Sequence, residues 1–212
     1  MFYLNNFKKG FILQNFLKKN LGGFTLIEIM IAVAIFSLLI SSATTLFVSS
    51  IKEQRRSLSY QQLADQVSYA IEYMSRSCRM ASKEIFDNPF HCLSSTGINF
   101  ENPSGDASRL RFIKFDEESS ADICHEFYLN NGQLIEYKRN MTTGEEISQP
   151  LTSDNLQINS LTFLLTGETQ NDDIQPFLTI FWNIQSINEK EEDRTSLIFQ
   201  TSISQRNLDI RR

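Results

Sequence analysis

The feature that most constrains this chain is an apolar run from Ile29 to Ile51 that contains no charged residue. A helix of that length can cross the hydrocarbon core of a bilayer. Residues 1–23, which precede it, contain four lysines and no acidic residue. Because basic residues are retained on the cytoplasmic side of a membrane, everything after Lys52 is predicted to lie outside the cytoplasm.

The residues in front of the apolar run form a second signal. Their order, Gly22-Gly23-Phe24-Thr25-Leu26-Ile27-Glu28, resembles the N-terminal cleavage and methylation motif of type IV prepilins and type II secretion pseudopilins. The resemblance implies that prepilin peptidase cleaves between Gly23 and Phe24 and methylates the new amine of Phe24. Glycine suits the position before the scissile bond because it has no side chain and lets the backbone extend into a peptidase site.

Glu28 is the one carboxylate at the leading edge of the membrane segment. A charged group at the centre of a membrane helix costs roughly 2.5–3.5 kcal/mol, and less near its end. The resemblance implies that this cost is offset by the α-amine of Phe24 in a neighbouring subunit, which would make Glu28 an assembly residue. The alternative is a carboxylate that extends to the lipid headgroups because it lies close to the helix end.

Two other interpretations of the N-terminus leave the motif without a role. One is an ordinary secretory signal peptide that is cleaved near Ser41-Ser42-Ala43, and the other is a signal anchor that is never processed. Both agree with the lysines and the apolar run. Only cleavage at Gly23 distinguishes a prepilin from these two.

After Lys52 the chain becomes amphipathic, with apolar residues at steps of three and four that predict a helix packed on one face. One continuous helix is expected from about Thr25 to about Ser82, and Asp87-Asn88-Pro89 ends it at the latest. The stripe consists of Tyr60, Leu63, Val67, Ala70, Ile71, Met74, Cys78 and Ala81. The expected organisation is a cleaved leader at 1–23, a transmembrane helix at 24–51, an exposed amphipathic helix at 52–86 and a globular head at 87–212.

The head has the composition of an antiparallel sheet. Short runs rich in β-branched and aromatic residues alternate with polar turns, and Asn130-Asn131-Gly132 is a strong hairpin signal. The fold class is therefore predicted to be α+β, a long helix packed on one antiparallel sheet of about five strands. The predicted runs are 110–115, 123–129, 133–139, 156–166, 176–187 and 195–204.

The three cysteines suit a chain whose head lies in an oxidising compartment. A disulfide between Cys92 and Cys124 is expected to join the loop after the helix to the sheet, although the other pairings with Cys78 stay open. His91-Cys92 and Cys124-His125 also supply the ligand types of a zinc site. Neighbouring residues on an extended chain point to opposite sides, so no metal is expected there.

The remaining residues do not predict catalysis. There are two histidines, no glycine-rich phosphate loop and no nucleophile–base pair, so neither an enzyme nor a cofactor is expected. Without the leader the chain carries a net charge of about −9, which argues against nucleic acid as a partner. The acidic runs 116–118 and 189–193 lack the spaced oxygen ligands of a calcium loop.

The sequence thus favours a structural subunit, a minor pilin or pseudopilin, anchored in the inner membrane before it enters a filament. The resemblance implies prepilin peptidase, other pilin subunits, a motor ATPase and an inner-membrane assembly platform as partners. A major pilin of the filament shaft, or a signal-anchored extracytoplasmic binding module, are the alternatives.

Overall fold

The structure of the chain, a computed structural model, describes residues 22–85, 88–167, 174–187 and 194–206. The described residues separate into two compact units, divided between Lys52 and Glu53. The long helix α1, Leu26–Arg79, begins in the first unit and ends in the second. The helix therefore begins one residue after the expected start and ends three residues before the expected end.

The helix ends where its chain joins a sheet. Ala81 and Ser82 form a short strand that pairs with Lys114 and Ile113, so their backbone groups bond to the sheet instead of continuing the helix. The predicted end near Ser82 could not anticipate this, because the pairing partner lies some thirty residues further along the chain. Residues 86 and 87 lie outside the described residues.

Nine strands form the described part of the head, in two antiparallel sheets rather than the one expected. The first sheet has the order β1-β3-β4-β5-β6, with β2 also paired to β3, and the second has the order β7-β8-β9. The strands are β1 Ala81–Ser82, β2 Phe100–Glu101, β3 Arg109–Asp116, β4 Ala121–Asn130, β5 Gln133–Asn140, β6 Glu146–Pro150, β7 Leu156–Thr166, β8 Phe177–Ser186 and β9 Ser196–Ser204.

The six predicted runs correspond to β3, β4, β5, β7, β8 and β9, and the missed strands are β1, β2 and β6. The missed strands have two to five residues, too few for an alternating pattern to be distinguished. The hairpin between β4 and β5 is confirmed. Asn131 and Gly132 both have positive φ angles, 49° and 79°, as a type I′ turn requires.

The core of the second unit lies between the last part of α1 and the sheets. The predicted helix stripe is buried at Leu63, Val67, Ala70, Met74 and Cys78, whereas Tyr60 is exposed and Ser59 takes its place. The sheets contribute large buried side chains to the same cluster, among them Phe112, Phe127, Phe163, Trp182 and Ile184. A second, smaller cluster surrounds Cys92 and Cys124 on the other side of the first sheet.

Candidate functional site

The candidate processing site lies in exposed, non-helical backbone just before α1. Gly22 and Gly23 have no secondary structure, and a Cβ added to either would meet no atom within 4 Å. Nothing in the described chain therefore requires glycine at these positions. Phe24, which would become the N-terminal residue, is 78% exposed. The site is open to an enzyme that needs an extended, unhindered backbone.

Thr25 begins the helix by capping it. Its carbonyl oxygen accepts hydrogen bonds from the backbone N–H groups of Glu28 and Ile29, at 3.1 and 3.2 Å. Its Oγ1 lies 3.3 Å from the nitrogen of Glu28, which donates to it. Threonine followed three residues later by glutamate is the sequence of a capping box, and a carboxylate in the first turn also suits the helix dipole. Thr25 and Glu28 thus stabilise the helix start, whatever further role Glu28 has.

The helix beyond the cap is apolar on every side and exposed along its length within the first unit. Every residue from Gly22 to Ser50 is exposed. Of the described helices, α1 is the one long and apolar enough to cross a membrane. Four hydroxyl groups in it donate to carbonyl oxygens of their own helix, three or four residues earlier, so they can enter lipid with their hydrogen bonds made. They belong to Ser37, Ser42, Thr44 and Thr45.

In the head, Cys92 and Cys124 are joined by a disulfide with a Cα–Cα distance of 5.4 Å, the same pair that the sequence analysis expected to be bridged. Cys78 is a free, buried thiol, and its burial raises its pKa. Because both bridged sulfurs are in a disulfide, neither can bind zinc. Among the described residues, no three histidine, cysteine or acidic side chains form a metal-binding group.

The carboxylate of Glu84 holds the loop that carries Cys92. Its Oε2 accepts hydrogen bonds from the backbone nitrogens of Cys92 and Leu93, at 2.9 and 3.1 Å. Glu84 is only 1% exposed. Its position just after the helix end therefore links the helix, the loop and the disulfide.

The acidic turn 116–118 serves a local structural purpose. Asp116 accepts hydrogen bonds from the backbone nitrogen and hydroxyl of Ser119, at 3.0 and 2.7 Å. These bonds lower the pKa of the exposed Asp116 carboxyl. The other acidic run, 189–193, lies outside the described residues.

Two buried glutamates in the first sheet were not singled out by the sequence. Glu136 faces the helix and is fully buried, where its carboxylate accepts bonds from Tyr73 Oη at 2.8 Å, Gln149 Nε2 at 3.1 Å and Lys138 Nζ at 3.1 Å. His125 Nδ1 lies 3.1 Å from the same carboxylate. Burial alone would raise the pKa of Glu136, but the bonds from His125 and Tyr73 and the charge of Lys138 outweigh it and lower the pKa to about 2.

The second glutamate, Glu126, lies on the opposite face of the sheet and is 3% exposed. Arg111 binds one oxygen of its carboxylate through Nε at 2.9 Å and Nη2 at 2.7 Å. Arg109 binds the other oxygen through Nε at 2.7 Å and also through Nη2. Alternating strand residues indicate which side chains share a face, but the partner strand and its register could not be predicted from single runs.

Comparison with known families gives one result, on the segment where the candidate processing site lies. Residues 18–44 match the prokaryotic N-terminal methylation motif. Comparison with curated proteins and with solved structures gave no match. The N-terminal segment of the chain is thus similar to that of prepilin-type pilins and pseudopilins, and the capped apolar helix and the antiparallel sheets that follow agree with this similarity.

Proposed function

We propose that this chain is a structural subunit, a minor pilin or pseudopilin, of a type IV pilus or a type II secretion-like filament. The observation that carries the proposal is the methylation motif at 18–44 on a helix whose apolar surface is exposed all round. A soluble helix buries such a surface against its own domain. Here lipid before assembly, and neighbouring helices after it, supply the apolar environment.

In this proposal prepilin peptidase removes residues 1–23 and methylates the amine of Phe24. The amine then meets the carboxylate of Glu28 in a neighbouring subunit, and the two opposite charges neutralise each other in an apolar surrounding. The helix dipole alone favours the carboxylate only by about 0.3–1 kcal/mol, so a partner contributes the larger part of its stabilisation. The role is mechanical rather than catalytic, with the head outside the cytoplasm and an assembly platform in the inner membrane.

The experiment is the intact mass of the full chain expressed with and without a prepilin peptidase. The expected product lacks residues 1–23 and carries one methyl group on Phe24. Gly23→Ala should block cleavage, and Gly22→Ala should not. Because an added methyl group meets nothing at either glycine, both variants are expected to fold normally. A full-length mass, or cleavage near Ala43, would refute the proposal and leave a signal-anchored or secreted domain.

Assembly is tested separately with Glu28→Gln, which removes the charge and keeps the shape. We expect the variant to be processed and methylated, and to be absent from filaments sheared from cells in which the wild-type chain is found. If the Glu28→Gln variant entered filaments as the wild-type chain does, Glu28 would not be an assembly residue. The ratio of this chain to the main filament protein then distinguishes a minor subunit from a major pilin, which must be far more abundant.

A further inference from the structure

The strands of the second sheet contain no charged residue. β7, β8 and β9 have 11, 10 and 9 residues, and none of them is an aspartate, glutamate, lysine, arginine or histidine. In the first sheet, β3 alone has 8 residues and includes Arg109, Arg111, Lys114 and Asp116. An antiparallel sheet that exposes one face to water normally has polar and charged side chains on that face. The complete lack of charge is therefore unusual for a sheet on a protein surface.

One face of this sheet belongs to the core and the other is exposed. Alternate residues of β8, among them Leu178, Ile180 and Trp182, are buried in the same cluster as the helix stripe. The residues between them point away from the helix. The register extends this outer face to residues 157, 160, 162, 164 and 166 of β7, the odd-numbered residues of β8 and the even-numbered residues of β9.

An aromatic residue with two apolar neighbours lies at the centre of the outer face. Phe181 pairs with Thr162 on one side and Gln200 on the other, in the middle of the paired strands. Leu164 and Ile198 are its diagonal neighbours on β7 and β9, within reach of an aromatic side chain. The exposed fractions of Leu164, Phe181 and Ile198 are 55%, 40% and 81%. An exposed apolar centre without charges has the composition of an interface core.

Polar side chains around this centre already bond to one another. Thr179 Oγ1 and Ser202 Oγ lie 3.1 Å apart on neighbouring strands. Gln185 Nε2 donates to Gln157 Oε1 at 3.2 Å. Burying a polar group is unfavourable mainly when it loses its hydrogen-bond partner. These groups keep their partners, so the outer face can be covered at a small desolvation cost.

We propose that the outer face of the second sheet binds the same face of a second copy of this chain. A partner that placed a charged side chain on this face would bury it without an opposite charge, which is strongly unfavourable. Of the two described sheets, only the second has uncharged strands, so a second copy supplies a matching surface. The whole chain has a net charge of −5, and two copies therefore approach most readily where neither carries charge.

The size of the face determines how strong the contact is. Two sheets pack face to face about 10 Å apart. A two-fold axis through the centre of the contact would place Phe181 opposite Phe181 of the second copy. Three strands of this length cover roughly 14 by 30 Å, about 400 Å² of flat area, against about 800 Å² per partner in a stable complex. The dimer is therefore expected to be weak and reversible. It is independent of cleavage and methylation at the N-terminus, so either proposal can fail without the other.

The test is sedimentation equilibrium of the full chain in a density-matched detergent. We expect monomer and dimer in equilibrium, and we expect Phe181→Lys to weaken dimerisation at least tenfold, because it brings two like charges together in an apolar contact. Phe115→Lys is the matched control, since it places the same charge on a phenylalanine of the first sheet that is 53% exposed. It should leave dimerisation unchanged. The apolar helix is the same in all variants, so the difference between them reports on the face.

A mixture of variants separates loss of contact from loss of fold. Phe181→Glu should weaken dimerisation as Phe181→Lys does, and an equimolar mixture of the two should associate to within a few fold of the wild-type chain. Opposite charges then meet at the two-fold axis, whereas mixing cannot rescue an unfolded chain. If near-UV circular dichroism shows that Phe181→Lys does not fold, Thr162→Lys repeats the test at an exposed polar position beside it.

Salt gives a further distinction. Added salt should strengthen the dimer slightly, because it screens the repulsion between two negatively charged copies. Dimerisation that salt weakens would indicate a contact made by ion pairs and would overturn the proposal. A monomeric wild-type chain, equal effects of Phe181→Lys and Phe115→Lys, or no recovery in the mixture would also overturn it. A monomeric chain would leave the face to a different protein.

Discussion

The two parts of α1 are made of the same secondary structure but have opposite relations to their surroundings. Up to Ser50 every described residue of the helix is exposed, although most are apolar. From Ser59 onward one stripe is buried against the head, and the other faces are polar. A stripe is sufficient for a helix that packs on its own domain, whereas an apolar surface on all sides needs lipid or other helices. The difference therefore separates a segment whose apolar surface has no cover within the described chain from a segment that packs on the head.

The largest expected effect comes from placing the same charge in each part. Leu63→Asp puts a carboxylate in the core, where Leu63 is 1% exposed, and should lower the free energy of unfolding of the head by about 4 kcal/mol or more. Leu39→Asp should leave the head folded and disfavour membrane insertion by roughly 2.5–3.5 kcal/mol. Near-UV circular dichroism of the buried Trp182 reports the first effect, and extraction of membranes at high pH reports the second. Equal loss of head structure in Leu63→Asp and Leu39→Asp would contradict the difference between the two parts of the helix.

Next in size is the contact of the packed part of the helix with the buried carboxylate. Glu136→Ala leaves Tyr73, His125 and Lys138 without their shared acceptor, and should destabilise the head by about 3–5 kcal/mol. Denaturant unfolding of the full chain in detergent measures the loss. Glu117→Ala, in an exposed turn, is the control and should change little.

Acidification should weaken the stability that the buried Glu136 and His125 contribute to the head. The folded-state pKa of Glu136, about 2, lies below its ordinary value of 4.5, so its contribution to stability is complete above pH 4.5 and is lost as pH falls towards 2. Burial lowers the pKa of His125 from its ordinary 6.5, so protonation of the unfolded chain weakens folding as pH falls below that value. Unfolding free energy should therefore decrease on acidification in two steps, and Glu136→Ala should lack the second.

The disulfide should contribute slightly less. Cys92 and Cys124 are 32 residues apart, and a loop of that length gives about 3.7 kcal/mol by restricting the unfolded chain. Reduction, or a Cys92→Ala/Cys124→Ala double variant, should lower the free energy of unfolding of the head by about that amount, as measured by denaturant unfolding. Helix content of the membrane segment should not change. Cys78→Ser, which alters the free thiol, distinguishes loss of the bridge from loss of a buried side chain.

The smallest expected effect is on the polar face of the packed part. Arg76 and Glu72 form an i, i+4 ion pair whose side chains are 79% and 64% exposed. Glu72→Gln should change the free energy of unfolding by less than about 0.5 kcal/mol, because exposed pairs are screened by water. Thermal unfolding at low and high salt measures this. A loss close to that of Glu136→Ala would show that the polar face takes part in packing.

What the sequence could predict follows the same division. The motif at Gly23 and Phe24, the apolar run and the stripe of Leu63, Val67 and Met74 depend on neighbours within a few residues, and a single sequence displays them. The split into two sheets and the short strands β1, β2 and β6 depend on which distant segments pair. No local pattern encodes that choice.

The same limit applies to the polar clusters. Glu126 was one acidic residue among 25 until the register placed Arg109 and Arg111 beside it. Likewise, Tyr73 and Glu136 are separated by 63 residues in the chain and meet only because the helix packs on the sheet. A single sequence does not display contacts between residues so far apart in the chain.

The oxidation state of Cys92 and Cys124 also reports whether the head of a given molecule has been exported. Disulfides form and persist outside the cytoplasm, so a bridged molecule is one whose head has already crossed the membrane. A newly made chain retained inside would stay reduced and migrate differently in a non-reducing gel. In a pulse-labelled culture, oxidation would mark export and the mass lost with residues 1–23 would mark cleavage. Because oxidation and cleavage are independent reactions, comparing their time courses gives the order in which export and maturation occur.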